Sequence, residues 1–119
     1  MIKGIKFASV ACTDQDRALA FWTEKVGFTV ATDQEFGPGQ RWIELRIPGA
    51  ETRLVLFTPE GHAPGGFSNV SFQSDDVQGT YREMSAKGVT FTTPPKTEPW
   101  GTSSIFVDSE GTSFHLGSP

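Results

Sequence analysis

The chain has 119 residues, a formal net charge of −4 and a sequence pI near 5.0. That length fits one domain or two very small units sharing one core, and it buries roughly two thirds of its unfolded surface without help from disulfides. The acidic balance and the scattering of Lys3, Lys6, Lys25, Arg53, Lys87 and Lys96 exclude a nucleic-acid partner, which needs a clustered cationic surface. No run approaches the ~20 apolar residues of a membrane span. Met1-Ile2-Lys3-Gly4 does not open a signal peptide, so no membrane partner is expected and the expected compartment is the cytoplasm.

Ile5 to Cys12 reads as a first strand and ends at Thr13-Asp14, either of which can cap the helix that follows. Cys12 is the single cysteine; within a strand-like run it reads as a buried, inert thiol. Ala18, Leu19, Phe21, Trp22 and Val26 recur at helical spacing, which places Trp22 in the core, and Gly27 supplies the stop. A short strand follows over Phe28 to Ala31, then a loop at Phe36-Gly37-Pro38-Gly39-Gln40. Arg41 to Ile47 and Thr52 to Phe57 form two further strands joined by a turn at Pro48-Gly49-Ala50-Glu51.

The pattern then repeats. A linker at 59–66, rich in Pro and Gly and carrying the solvated His62, separates a module over 1–58 from a second over 67–119. Phe67 to Phe72 is a strand, Asp75-Asp76 a cap, Val77, Tyr81 and Met84 a helical stripe, and Gly88 a stop. Val89 to Phe91 is a short strand, and the run from Thr93 to Pro99 reads as a loop. Thr102 to Val107 and Thr112 to Leu116 close the module around the turn Asp108-Ser109-Glu110-Gly111. The fold class is α+β, with a strand, a helix and three strands in each half.

Alternation assigns side chains to faces. Ile43, Leu45, Ile47, Leu54 and Leu56 turn to the helix, as do Ile105, Val107, Phe114 and Leu116. The opposite face then carries Phe7, Trp42, Glu44, Arg46, Arg53, Val55 and Phe57 in one module. In the other it carries Asn69, Ser71, Thr102, Ser104, Phe106, Ser113 and His115. Aromatic rings among a few polar groups suit a small-molecule cleft, and they equally suit a face covered by a second subunit.

The order Val10-Ala11-Cys12-Thr13-Asp14, Ala18-Leu19-Ala20-Phe21-Trp22, Val26-Gly27-Phe28, Asp75-Asp76-Val77, Gly88-Val89, Pro99-Trp100-Gly101 and Phe106-Val107-Asp108-Ser109-Glu110-Gly111 spans nearly the whole chain. It resembles the vicinal oxygen chelate superfamily, which includes glyoxalase I and the bleomycin-resistance proteins. The resemblance implies two βαβββ modules whose mixed sheets curl into an open, barrel-like cleft, commonly in a homodimer. It also implies metal-ligand positions on the first and fourth strands of each module, occupied in the family's catalysts by His, Gln or Glu. Here those positions fall at Phe7, Val55, Asn69 and His115, of which only His115 is a good ligand, so no metal and no other cofactor is expected.

Three functions remain open. One is metal-independent binding, or sequestration, of a planar or amphipathic small molecule, as in a resistance protein. Phe7, Trp42, Phe57, Trp100 and Phe106 would stack on it, and Glu44, Arg46, Asn69 and His115 would anchor it. Another is a glyoxalase-like or dioxygenase-like enzyme with an atypical site, using His115 as acid or base. The third is a protein-interaction module. Plainer roles compete at each position: Glu44 can pair with Arg53, His115 can bond a neighbouring serine or carbonyl, and Trp42 and Trp100 can pack in a dimer or anchor a loop.

Overall fold

Each helix begins where a carboxylate takes up its first free N–H groups. The computed structural model describes all 119 residues. In it Asp14 accepts from Arg17 N at 3.1 Å, and Asp76 accepts from Gly79 N at 2.9 Å. Of the two candidate caps in the first module, Asp14 is therefore the one used. The helices stop at Gly27 and Gly88, whose φ values of 97° and 91° lie in the left-handed region that suits glycine.

The chain divides into two compact units, Met1–Pro64 and Gly65–Pro119. The first contains β1 (Phe7–Val10), α1 (Gln15–Ala20) with a π-helical continuation at Phe21–Lys25, β2 (Thr29–Gly37), β3 (Gln40–Arg46) and β4 (Arg53–Leu56). The second contains β5 (Phe67–Gln73), α2 (Val77–Ala86), β6 (Thr90–Glu98), β7 (Gly101–Val107) and β8 (Ser113–Gly117). Their sheets have matching strand orders, β1-β4-β3-β2 and β5-β8-β7-β6. In both, the outer β1–β4 or β5–β8 pair is parallel and the remaining pairs are antiparallel. Each module is thus a βαβββ unit with a mixed, unclosed four-stranded sheet. No helix is long and apolar enough to cross a membrane.

In the first module, Ile43, Leu45, Leu54 and Leu56 are buried with Ala18, Phe21 and Trp22 from the helical segment. The π-helical stretch, closed by Val26 N donating to Phe21 O at 3.2 Å, carries both buried rings. In the second, four phenylalanines form the core: Phe106 stacks on Phe114 at 5.6 Å, and Phe72 and Phe91 pack against them. Tyr81 of α2 meets Phe91 edge-on at 4.8 Å.

Three expectations are corrected. β2 and β6 are each nine residues long, so most of Thr93–Pro99 is strand rather than loop. Pro94 and Pro95 are tolerated because β6 is an edge strand and the pair falls in a register shift between Thr93 and Lys96. β1 is shorter than expected, because the Thr58 hydroxyl, rather than a strand partner, bonds both the N–H and the carbonyl of Cys12 at 2.6 Å. Cys12 itself is buried. Lastly, β7 is turned over. Phe106 pairs with Phe114 and Ser104 with Leu116, which puts Ser104 and Phe106 on the helix side and Ile105 and Val107 on the other. Ile105, Phe106 and Val107 are apolar in succession, so the alternation that assigned Ile105 and Val107 to the helix side had no true period to rest on.

Candidate functional site

The register of the first module places Phe7, Arg53, Arg46 and Thr29 in one row across the sheet, on the side away from α1. The next row is Ser9, Val55, Glu44 and Thr32. Trp42 lies one row further along β3. Its indole N–H donates to Glu44 Oε2 at 2.8 Å, which lays the ring back along the strand. There Trp42 meets Phe7 edge-on at 5.5 Å and Phe57 at 5.6 Å, and Phe57 in turn meets Phe36 at 5.7 Å. The four rings make a continuous aromatic wall at the separations aromatic pairs prefer. Phe36 belongs to this wall, although the turn formers Gly37-Pro38-Gly39 beside it favour a loop. Its signal was weak, because β2 is polar on both sides from Thr32 to Glu35.

Beside the wall stands a charged cluster. Arg53 Nη1 lies 3.3 Å from Glu44 Oε1, the ion pair expected as the plainer role for Glu44. Arg46, across the ladder from Arg53, donates to the Val30 carbonyl at 3.0 Å. The Trp42 N–H first, and then the Arg53 N–H, hold the Glu44 carboxyl below its ordinary pKa against the opposing effect of burial. Glu44 is therefore an anion at neutral pH. The end of this face near the β3–β4 turn opens into two grooves of about 540 and 630 Å³, both lined by Glu51 and Arg53. On the other side of the sheet, Arg41 spans Asp16 at 2.6 Å and Asp33 at 2.8 Å, tying α1 to β2. Gln15 Nε2 reaches the Arg41 and Leu56 carbonyls at 2.7 and 2.8 Å.

In the second module His115 shares the face away from α2 with Ser71 and Ile105. Its Nδ1 lies 2.5 Å from Ser71 Oγ. The ring folds back over Gly117, where any Cβ would stand 2.6 Å from His115 Cε1. Asn69 is exposed in the stretch of β5 where the register shifts. Trp100 projects from the β6–β7 turn and is 81% exposed. Phe106 is 1% exposed in the core, so its expected place on a ligand face is corrected by the inverted parity of β7. His62 sits exposed between the modules in sequence, near the Glu60 carbonyl at 3.3 Å.

Of the four positions that the family resemblance marks for metal ligands, Phe7 is 38% exposed and joins the aromatic wall, while Val55 is fully buried. No group of three or more His, Cys, Asp or Glu side chains is placed to hold a metal ion. The side chains present thus do not fit the family's metal.

The fold and much of the sequence are shared with known proteins. The uncharacterized protein YetH of Bacillus subtilis (strain 168) is 41% identical, over 98% of both chains. Two solved structures superpose with a TM-score of 0.89. One, from Sphaerobacter thermophilus DSM 20745, is 31% identical and is matched over 99% of this chain and 98% of that one. The other is TnmS3, an antibiotic binding protein from Streptomyces sp. CB03234, 33% identical over 99% of this chain and 97% of its own. Residues 4–116 match the family model itself, and the chain belongs to the Glyoxalase/Bleomycin resistance protein/Dioxygenase superfamily.

Proposed function

We propose that this protein binds a planar or amphipathic small molecule by aromatic stacking, without a metal, and thereby sequesters it. The observation that carries this reading is the wall of Phe7, Trp42, Phe57 and Phe36 on the helix-free face of the first module. Partly exposed rings ranked beside an ionised carboxylate combine an apolar platform with an orienting polar group, the chemistry of a small-molecule site. Support also comes from the 33% identity to an antibiotic binding protein. Fold alone would not carry the reading, since one scaffold hosts unrelated functions.

Tryptophan fluorescence titrated with flat polycyclic antibiotics and dyes, such as acridines and phenazines, tests the proposal. Saturable quenching is expected for at least one flat compound, weakened about three- to tenfold in Trp42→Ala, the worth of one stacking partner. Flat fluorescence across the panel would refute it. Homodimer formation belongs to the same proposal and is supported by the exposure of Trp100. Sedimentation as a monomer at every concentration would count against it.

A second reading rests on the 2.5 Å contact between His115 and Ser71. In this reading the enzyme uses His115 as a general base or acid at an atypical site. It requires a pH–rate profile that His115→Ala abolishes, and an unchanged rate in that variant ends it.

A further inference from the structure

Arg46 and Arg53 face one another directly across the β3–β4 ladder, on the same side of the sheet as the aromatic wall. Like charges in directly opposed positions of a sheet repel and destabilise it. Here the repulsion is only partly offset. Arg53 has one contact with Glu44 at 3.3 Å, and Arg46 forms no ion pair, donating only to the Val30 carbonyl. A guanidinium carries five N–H donors, so most of those on this pair remain available.

The surroundings add to the imbalance. Lys3 and Lys6 line the adjoining groove of about 540 Å³, which Arg53 also borders, while Arg46 and Arg53 line the groove of about 630 Å³. Against these four cations stand two carboxylates, Glu44 and Glu51. A chain with a net charge of −4 thus concentrates positive charge at one end of one sheet face. Phe7 closes the row: it is the ladder neighbour of Arg53 and the edge-on partner of Trp42, so the cations and the wall adjoin.

Resting on the binding function proposed above, we propose that the ligand of the aromatic face carries an oxyanion, a carboxylate or sulfonate, that the Arg46–Arg53 pair clamps while its ring system lies on Trp42 and Phe7. A forked guanidinium matches two oxygens at once, and a charge-assisted pair of bonds is worth more than a neutral contact. The bound anion also removes the repulsion between the two arginines.

The test compares two fluorescent probes that share a ring system, anilinonaphthalene sulfonate and its uncharged parent phenylnaphthylamine. Wild-type protein binds the sulfonate about tenfold more tightly at low salt, and added salt narrows the difference. Arg46→Gln and Arg53→Gln each erase most of that preference and leave the neutral probe unaffected. Arg17→Gln, on the exposed side of α1, changes neither. Should Arg53→Gln fail to fold, Arg46→Gln and the salt dependence of the wild type decide the matter. Equal affinity for the two probes, or a preference that survives in Arg46→Gln, overturns the inference while leaving the aromatic site standing. Binding of neither probe overturns both. Stabilisation by inorganic phosphate without sulfonate-probe binding places anion recognition apart from the rings and also overturns it.

Discussion

The first module keeps Ile43, Leu45, Leu54 and Leu56 on the helix side of its sheet and turns Phe7, Trp42 and Phe57 away from it. The second differs: Phe72, Phe91, Phe106 and Phe114 fill the helix side, and Ser71, Ser103, Ser113 and His115 share the other with Ile105, Val107 and the lone exposed ring of Phe67. One topology, with matching caps and stops, therefore holds two different distributions of the same residue types. A βαβββ unit needs one apolar face and accepts either aliphatic or aromatic filling. Where the strands supply aliphatic residues and the helix supplies the buried rings of Phe21 and Trp22, the sheet's own rings stand in front of it. Where rings do the packing, the front carries small hydroxyl side chains, one imidazole, Ile105, Val107 and the single ring of Phe67, with no row of stacked aromatics.

The comparison breaks most readily at Phe106. Phe106→Ala removes a ring from the centre of the second core and should cost about 3–5 kcal/mol. Phe7→Ala removes a ring that is 38% exposed and should cost well under half of that. Chemical denaturation of the two variants measures the contrast. Equal losses would mean that Phe106 is not a core residue and that β7 has the opposite parity.

A smaller effect is expected at Gly117. Its place beneath His115 leaves no room for a methyl group, so Gly117→Ala should displace the imidazole and cost about 1–3 kcal/mol by overpacking. The Nδ1 contact to Ser71 would be lost with it, which the His115 ring resonances would report by NMR. An unshifted resonance would show that the ring is not held over the strand. The caps should matter less and equally: Asp14→Ala and Asp76→Ala each remove one side-chain bond to a helix N–H, worth about 1 kcal/mol. A large inequality between them would show that the modules are not equivalent at their helix starts.

The repeat, both helix starts and stops, and the helix-side residues of β3, β4 and β8 were legible because each rests on a strong local signal. An acidic cap before a stripe, a glycine after it, and clean alternation in Trp42-Ile43-Glu44-Leu45 leave little choice of reading. The length of β6 was not legible, because Pro94 and Pro95 forbid a central strand yet suit an edge, and edge status is a property of the whole sheet. The parity of β7 failed for a related reason: three successive apolar residues carry no period, and only the pairing of Phe106 with Phe114 decides. On the candidate site, the alternation placed Trp42, Glu44 and Arg46 on one face. The indole bond that tilts Trp42 onto Phe7, and the addition of Phe36, depend on side-chain directions that spacing does not encode.

The smallest expected effect divides the modules by sign. In the first, Glu44 and Asp33 have lowered pKa values, through the Trp42 and Arg53 donors and through Arg41 respectively. In the second, burial raises the pKa of Asp108 above the ordinary value, outweighing the backbone N–H bonds from Thr112 and Glu110. A carboxyl whose pKa is lowered by folding stabilises the native state above its unfolded pKa, and that support is lost as pH falls through the folded value. A carboxyl whose pKa is raised does the opposite: it favours the native state at low pH and loses that contribution as pH climbs through the folded value. Glu44→Gln should therefore lower the melting temperature slightly at pH 7 and converge with wild type as the pH drops below the carboxylate range. Asp108→Asn keeps an acceptor for both N–H groups without the buried charge, so it should be neutral or slightly stabilising at pH 7, with the difference vanishing in acid. Melting curves of the two variants between pH 3 and 7 should thus bend away from wild type in opposite directions. Parallel curves would mean that the Asp108 turn is as open to water as the Glu44 face, and the electrostatic contrast between the modules would fall.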